Sequence, residues 1–124
     1  MKLFDTLKNL GCIVEPCGSR VTVSPPPTDT DADYLVEVPW SLFGGRQHAV
    51  ERALHGNFFR KEGHAYAGGL FKSYRSGAFN LVVTEDRKFA ERHRLATHIC
   101  KRLNLRQKAD RVAVFQAILY GNKV

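Results

Sequence analysis

The sequence predicts a small domain of the α/β or α+β class, in which helices cover one mixed β-sheet. Segments with apolar residues at helical spacing alternate along the chain with short segments that have the apolar pattern of strands. The chain has 124 residues, of which 44% are hydrophobic, and this is enough for one modest core. Residues 1–124 are therefore expected to form a single domain.

The first segments of the chain read as a helix, a strand and a spacer. Leucines at helical spacing predict a helix over 3–11 that ends at a glycine. The segment 12–19 reads as a strand that ends in a turn, and 21–23 as a further short strand. Pro25–Pro27 lack backbone N–H groups and have a fixed φ angle, so they are expected to form a stiff, extended spacer.

After the spacer, strands and helices follow one another to the end of the chain. A strand is predicted over 31–39, and a helix over 46–56 that ends at a glycine. Alternating residues over 70–84, on both sides of Ser76-Gly77, predict a β-hairpin. Apolar residues at helical spacing predict two last helices, over 86–105 and 107–121.

The helix predicted over 86–105 has two contrasting faces. At 100° per residue, its apolar face is expected to carry Phe89, His93, Ala96, Ile99, Cys100 and Leu103. Arg87, Arg94 and Lys101 fall on the other face. His93 is therefore expected to be an interior histidine rather than a catalytic base.

The positive charge of the chain is concentrated in its second half. Residues 1–62 carry seven Lys and Arg against eight Asp and Glu, whereas residues 63–124 carry twelve against four. The basic half is a candidate surface for phosphate groups or nucleic acid, although a solvated face that only aids solubility has the same pattern. The residues considered for such a surface are Lys72, Arg75, Arg87, Lys88, Arg94, Lys101, Arg102, Arg106, Lys108 and Arg111.

The remaining composition favours a soluble protein of the cytoplasm. No segment is long and apolar enough to span a membrane, and the N-terminus lacks the apolar core of a signal peptide. Cys12, Cys17 and Cys100 form no regular framework, so reduced thiols are expected. Neither the cysteines nor the five histidines have the spacing of a zinc site.

Three aspartates stand at alternate positions before the apolar part of the strand predicted over 31–39. A calcium loop that began at Asp29 would place Tyr34 where the loop needs glycine, and Trp40 where it needs glutamate, which excludes such a loop. Side chains two residues apart on a strand share a face, so Asp31 and Asp33 repel each other unless a cation lies between them. Carboxylate oxygens with open positions around them suit Mg²⁺.

A turn at Gly18-Ser19, at the end of the preceding strand, complements these aspartates. Glycine allows a close approach to the backbone, whose N–H groups can hold phosphate oxygens. Arg20 follows the turn; it either complements triphosphate charge by a bidentate contact or is a surface arginine. The turn and the aspartates together predict a site for a nucleoside triphosphate and a metal ion.

This pattern resembles the active site of the nucleotidyltransferase superfamily, which includes DNA polymerase beta and the minimal nucleotidyltransferases. The shared features are an apolar-Gly-Ser turn, a spacer, and Asp-x-Asp followed by apolar residues, seen here as Cys17-Gly18-Ser19 and "TDADYLV". The stretch from "NLVVTED" to "AILYG" also resembles small nucleotidyltransferase-like proteins encoded by bacteriophages. The resemblance covers residues 17–36 and 71–121.

The resemblance implies a small mixed sheet flanked by helices, and it implies the reaction of a nucleotidyltransferase. A nucleoside monophosphate would be transferred from a nucleoside triphosphate to an RNA, a protein or a small molecule, with release of pyrophosphate. Gly18 and Ser19 would hold the β- and γ-phosphates. Asp31 and Asp33 would be the catalytic metal ligands, and two Mg²⁺ or Mn²⁺ ions would stabilise the attacking and leaving oxygens.

The chain departs from the superfamily pattern at the third carboxylate, which usually comes from a later strand. Asn80 stands in the corresponding position; it offers a carbonyl oxygen to a metal but is no general base. Glu37 shares the strand face of the aspartates but lies roughly 13 Å beyond Asp33. Glu85 and Asp86 are expected to cap the next helix, and Asp29 is either an outer ligand or a loop residue. Many relatives also have a helix after the Gly-Ser turn, which the three prolines disfavour.

Two hypotheses of function follow. The first is an active, metal-dependent nucleotidyltransferase, favoured by the two aspartates and the Gly-Ser turn. The second is a catalytically weakened phage protein that keeps the fold and binds an RNA or a protein of the host, favoured by Asn80. In both cases the protein would work in the cytoplasm, in that of the host cell if a phage encodes it, and no feature indicates its oligomeric state.

Overall fold

A computed structural model of the chain describes residues 2–27, 31–62 and 70–121, apart from the side chain of Phe43. Its helices are α1 (Lys2–Asn9), α2 (Ser19–Thr22), α3 (Gly45–Gly56), α4 (Arg87–Leu103) and α5 (Lys108–Tyr120), and a 3₁₀ turn at Leu42–Gly44 precedes α3. Its strands are β1 (Ile13–Cys17), β2 (Ala32–Glu37), β3 (Arg60–Lys61), β4 (Lys72–Ser76) and β5 (Phe79–Thr84). The fold is α+β, as the sequence predicted.

The five strands form one mixed sheet in the order β1-β2-β5-β4-β3. Strands β2 and β5 run parallel, and every other neighbouring pair is antiparallel. Because a parallel pair needs a long crossover, the chain from the end of β2 to the start of β5 passes through α3, β3 and β4 before it returns to the sheet. The polar ends of β2 and β5 are thereby brought side by side.

The two faces of the sheet are covered differently. Helices α1 and α3 pack on one face and enclose the larger core, which comprises Leu3, Leu7, Cys12, Val36, Val38, Val50, Leu54, Phe59, Tyr74, Leu81 and Val83. On the other face Ala90 of α4 packs against Cys17, Leu35 and Val82. Helix α5 packs against α4. Side chains of this second face that lie beyond α4 remain open to solvent, and they include the candidate site.

Most of the predicted elements are confirmed. The helices expected over 3–11, 46–56, 86–105 and 107–121 are α1, α3, α4 and α5, and the strands expected over 12–19 and 31–39 are β1 and β2. The hairpin of β4 and β5 is confirmed too, but Ser76 pairs with Phe79, so its loop is Gly77-Ala78 and lies one residue beyond the predicted turn.

The strand expected over 21–23 is wrong, because this segment belongs largely to α2. Gly18 has a φ of +77°, and its carbonyl oxygen accepts hydrogen bonds from the N–H groups of Val21 and Thr22. Thr22 is buried, and α2 packs against α4. This tertiary contact outweighs the preference of β-branched residues for strands. The expectation that the three prolines disfavour a helix after the Gly-Ser turn is therefore wrong, because α2 is short enough to end at Thr22, before the prolines.

Two details of the α4 faces are also wrong. Leu103, assigned to the apolar face, is 61% exposed because it lies at the end of the helix. Arg94, assigned to the solvent face, instead reaches the sheet and bonds Glu15 at 2.9 Å and Glu37 at 2.6 Å. His93 is buried, as predicted, and Asp86 caps α4 by accepting a hydrogen bond from the N–H of Phe89 at 2.8 Å. Within 2–27, 31–62 and 70–121, no helix has the length and apolar character needed to cross a membrane.

Candidate functional site

The candidate site is built on one row of residues that crosses the sheet. Asp33 on β2 lies beside Cys17 on β1 and beside Asn80 on β5, and Asn80 lies beside Arg75 on β4. Neighbours in such a row project to the same face of a sheet. The register therefore places Asp33, Asn80 and Arg75 together on the face that α4 leaves partly open.

Gly18 brings the turn at the end of β1 into contact with Asp33. A Cβ atom added to Gly18 would lie 2.9 Å from both Cβ and Cγ of Asp33, and closer still to its Oδ2. The φ of +77° is a second reason for glycine, since L side chains rarely adopt this conformation. The carboxylate thus rests directly on the backbone of the Gly18-Ser19 turn.

Asp31 is held by an arginine from another strand. Its Oδ2 accepts a hydrogen bond from Nη1 of Arg75 at 2.6 Å, and Nε of the same arginine donates to Glu62 at 3.2 Å. Arg75 reaches Asp31 across β5, which separates their strands in the sheet. The side chains of Asp31 and Arg75 are 44% and 40% exposed, so solvent and ligands have access to this ion pair.

Asp33 is the more buried of the two aspartates. Burial raises the pKa of its carboxyl group above the ordinary value, and the charge of Asp31 acts in the same direction. The amide of Asn80, by hydrogen bonding, and the charges of Arg75 and Arg20 lower this pKa in part. The ionised form of Asp33 therefore has a desolvation cost that its neighbours do not fully compensate.

Asn80 has a buried oxygen atom with no hydrogen-bond partner. Its amide group donates to Asp33, while Oδ1 is enclosed and accepts no hydrogen bond from the described part of the chain. A buried acceptor without a partner is costly and calls for a ligand. Rotation of the amide by 180° exchanges its oxygen and nitrogen, so the same side chain can present Oδ1 to a cation held by Asp33.

These residues line a cleft of about 1010 Å³. One wall is the polar end of the sheet and contains Gly18, Ser19, Asp31, Asp33, Ser73, Arg75 and Asn80. The rest of the lining, here called the α5 wall, consists of Phe71 and of the α5 residues Lys108, Arg111, Val112, Phe115, Gln116, Leu119 and Tyr120. The cleft thus combines carboxylates at one side with cations and apolar side chains at the other.

Sequence reasoning missed two parts of this site. Arg75 was considered only as part of a basic surface, because the turn predicted at Ser76-Gly77 does not pair it with Asn80, whereas the observed loop at Gly77-Ala78 does. Val112, Phe115 and Leu119 of α5 were expected only to be helical and apolar. Their place in the cleft depends on the packing of α5 against α4, for which no local pattern exists.

Phe71 also belongs to the cleft, where it stacks on Phe89 of α4 with ring centroids 5.1 Å apart. Tyr74 of β4 is buried in the core.

Of the other residues singled out by the sequence, two belong to the site or lie near it. Ser19 lines the cleft, and Arg20 is close enough for its charge to act on Asp33. Glu37 is engaged with Arg94 and is not part of the site. Asp29 lies outside the described residues.

The basic residues of the second half do not form one free surface. Lys72 bonds Glu51 at 3.0 Å, and Arg111 donates from Nη1 to the carbonyl oxygens of Leu105 and Arg106, both at 2.8 Å. Arg75 and Arg94 are held in the ion pairs already described. The exposed cations that remain lie mainly along the outer side of α4 and around its C-terminal end: Lys88, Arg92, Lys101, Arg102 and Arg106.

The three cysteines are free thiols and all are buried. Burial, together with the charges of Asp33 and Glu15, raises the pKa of the Cys17 thiol to about 12. Burial also raises the pKa of the Cys12 thiol to about 11. Neither thiol is a thiolate nucleophile at neutral pH.

The oxygen donors of the site fit a hard divalent cation. The searched part of the chain contains no group of three or more His, Cys, Asp or Glu side chains suited to a metal. Two carboxylates and, after rotation of its amide, Oδ1 of Asn80 would nevertheless form a set of oxygen ligands of the kind that Mg²⁺ takes, with water and phosphate completing its shell.

Comparison of the chain with protein-family models, with curated proteins and with solved structures finds no match. The residues of the cleft and their geometry are therefore the basis for its function.

Proposed function

We propose that the protein is a metal-dependent nucleotidyltransferase, which binds a nucleoside triphosphate with Mg²⁺ or Mn²⁺ in the cleft and transfers the nucleoside monophosphate to an acceptor. The observation that carries the proposal is the contact between Gly18 and Asp33 beside Asn80 at the mouth of the cleft. Two sequence-distant motifs that the chemistry requires to be adjacent, the Gly-Ser turn and the aspartates, are in contact. A short helix after the turn adds to the resemblance.

The polar wall of the cleft suits the phosphate end of a nucleotide. Asp31, Asp33 and Oδ1 of Asn80 would hold the cation, and the backbone of Gly18-Ser19 would contact phosphate oxygens. A bound cation would neutralise phosphate charge and orient the phosphoryl group for in-line attack. Arg20 would add positive charge beside the turn. A bound cation would offset the desolvation cost of the ionised Asp33 carboxylate, which burial imposes.

The α5 wall suits the remainder of the nucleotide and the acceptor. Phe71 and Phe115 offer apolar surface for a base or a sugar, and Lys108 and Arg111 offer positive charge. Among the residues named here, none is placed as a general base. Catalysis would therefore depend on positioning and on charge neutralisation. The acceptor would be an RNA, a protein or a small molecule.

A second candidate function is supported by Asn80 and by the ion pair of Asp31. An amide in place of the third carboxylate, and an arginine already bound to one of the two aspartates, both reduce the capacity of the site for metal ions. A nucleotidyltransferase-like protein with this site would bind an RNA or a protein of a host cell without transferring a nucleotide.

Label transfer distinguishes the two functions. The protein is incubated with each α-labelled nucleoside triphosphate, Mg²⁺ or Mn²⁺, and a host-cell extract. Label transfer by the wild type, and its loss in Asp31→Ala and Asp33→Ala, is the result expected for the enzyme. Asp5→Ala serves as the control, because it removes an exposed carboxylate of α1. Calorimetry with a non-hydrolysable analogue measures metal-dependent nucleotide binding separately. If neither transfer nor such binding occurs, the nucleotidyltransferase proposal is wrong.

A further inference from the structure

Arg75 has an unusual position, because its permanent positive charge lies beside the carboxylates of the proposed metal site. Its guanidinium contacts Asp31 at 2.6 Å and Glu62 at 3.2 Å, and its backbone lies beside Asn80 in the sheet. Two acidic partners from different segments hold the group from two sides. Its planar, permanently charged fork suits such a pair of contacts.

The formal charge of the site is too small for two divalent cations. Three carboxylates, as in the superfamily pattern that the chain resembles, would supply a charge of −3 to two such ions. Here Asn80 is neutral and Arg75 contributes one positive charge, so the charged residues at this end of the cleft lining, Asp31, Asp33 and Arg75, together carry −1. Glu62, the other partner of Arg75, is not part of the cleft lining. A second cation that used Asp31 as a ligand would be repelled by the Arg75 guanidinium, which is already bound to that carboxylate.

The neutral Asn80 and the cationic Arg75 change the charge of the site in the same direction and complement each other. Replacing the third carboxylate by Asn80 removes a negative charge that a second metal would need. Holding Arg75 at Asp31 supplies positive charge where that metal would have been. Both residues stand side by side on the hairpin of β4 and β5, so one structural unit provides both changes.

We propose that the Arg75 guanidinium takes the place of one of the two divalent cations, so that the cleft binds its nucleotide with a single cation. This inference rests on the proposed function, because it concerns the metal content of the same site. Arg75 is a positioning residue: it acts through Asp31, which it holds, and through the positive charge that it adds beside the phosphates.

The number of Mn²⁺ ions per bound nucleotide tests the proposal without an activity measurement. Equilibrium dialysis with a non-hydrolysable triphosphate and Mn²⁺, with free Mn²⁺ measured by electron paramagnetic resonance, gives this ratio. We expect one ion per nucleotide in the wild type and in Arg75→Lys, which retains the charge. We expect two ions in Arg75→Gln combined with Asn80→Asp, which restores three carboxylates. Arg75→Gln alone is expected to raise Mn²⁺ affinity about tenfold, because a nearby like charge is removed.

Arg60→Gln is the matched control. Arg60 lies opposite Arg75 on β3, so the same charge change is made one strand further from Asp31. Its Mn²⁺ ratio and affinity should equal those of the wild type. Thermal unfolding of each variant shows whether it is folded, and Arg75→Gln changes a side chain that is partly exposed.

The outcomes separate this inference from the proposed function. The role of Arg75 would be overturned, and the proposed nucleotidyltransferase function left intact, by either of two results. One is two Mn²⁺ ions per nucleotide in the wild type. The other is an unchanged Mn²⁺ affinity in Arg75→Gln together with a single ion in the double variant. Weaker nucleotide binding in Arg75→Gln, without any gain in Mn²⁺, would show that Arg75 contacts phosphate and would also overturn it. Absence of any Mn²⁺-dependent nucleotide binding in the wild type would count against the proposed function itself.

Discussion

At the scale of single residues, Gly18 and Asp33 form one unit, because the carboxylate fills the space that any side chain at position 18 would need. Asp33 in turn is destabilised by burial and partly relieved by Asn80. A polar group that costs folding energy and opens into a cleft is typical of a functional residue rather than of a structural one. A substitution of Gly18 therefore tests the contact between these two residues.

Gly18→Ala is predicted to lower the free energy of unfolding by about 3 kcal/mol, because the substitution adds a clash with Asp33 to an unfavourable backbone conformation. It should also abolish nucleotide binding. Gly77→Ala is the control: Gly77 also has a positive φ, of +56°, but nothing lies within 4 Å of the added Cβ. This variant should lose about 1 kcal/mol and keep its binding. Urea unfolding and calorimetry measure both quantities, and equal effects of the two changes would contradict the prediction.

At the scale of elements, α4 joins the site to the rest of the fold. Its inner side carries Ala90 against the sheet and His93 against α5, where the rings of His93 and Phe115 lie 5.0 Å apart. Arg94 links the helix to β1 and β2. The position of α5, and with it the second wall of the cleft, therefore depends on contacts made by α4.

His93 makes this interface sensitive to acid. Burial lowers the pKa of its imidazole to about 4, and the charge of Arg94 acts in the same direction. In the unfolded chain the group has an ordinary pKa of about 6.5, so below this pH the unfolded state binds the additional proton. Stability is complete above pH 6.5 and falls as the pH decreases towards 4, by roughly 3 kcal/mol.

His93→Phe should remove this part of the pH dependence, while His98→Gln, on the exposed side of α4, should retain it. Thermal and urea unfolding between pH 7.5 and pH 4.5 provide the comparison. If the stability of His93→Phe and of the wild type changes with pH in parallel, His93 is not the cause of the acid sensitivity.

Arg94 is predicted to contribute more to stability than a surface ion pair does. Arg94→Ala leaves Glu37, whose side chain is only 14% exposed, without its partner at 2.6 Å. A loss of about 1–2 kcal/mol is expected in urea unfolding. Arg87→Ala breaks the exposed pair with Glu91 within α4 and should cost less than about 0.5 kcal/mol. A larger loss in Arg87→Ala than in Arg94→Ala would refute this order.

How far the sequence predicts the structure also differs between elements. Alternation and helical spacing located β1, β2, the hairpin and the four longer helices, because burial on one face imposes these periods. The same rule failed at Val21 and Thr22, where packing against α4 overrode strand preference. The sequence did not predict that Arg75 belongs to the site, because this depends on which residues of β2, β5 and β4 lie beside one another in the sheet. A shift of one residue in the hairpin loop changes this register.

At the scale of the whole molecule, the net charge of +7 comes from the second half of the chain, which carries +8, whereas the first half carries −1. Ion pairs hold Lys72, Arg75 and Arg94, and α4 presents much of the remaining charge on its outer side. Lys88, Arg92 and Arg102 are exposed and lie within about 80° of one another around the helix. This side of α4 is the best candidate for contact with RNA.

RNA binding is predicted to weaken steeply with salt, because cations that contact phosphates release counterions. Fluorescence anisotropy with a single-stranded RNA at several salt concentrations gives the slope. Replacing Lys88, Arg92 and Arg102 by Gln should reduce the slope by about 2. Replacing Lys2, Lys8 and Lys61, which are exposed in the first half, should leave it nearly unchanged. No binding at low salt would exclude RNA as a partner.

The sheet order has a consequence for the sequence of folding events. Arg75 and Asn80 come together in a local hairpin, which forms early because its loop is short. Asp33 joins them only when β2 pairs with β5, a parallel contact between distant parts of the chain. We therefore expect the site to be completed late in folding, so that a partly folded chain lacks it. A ligand of this cleft would then stabilise the finished fold alone, and its binding would report that folding is complete.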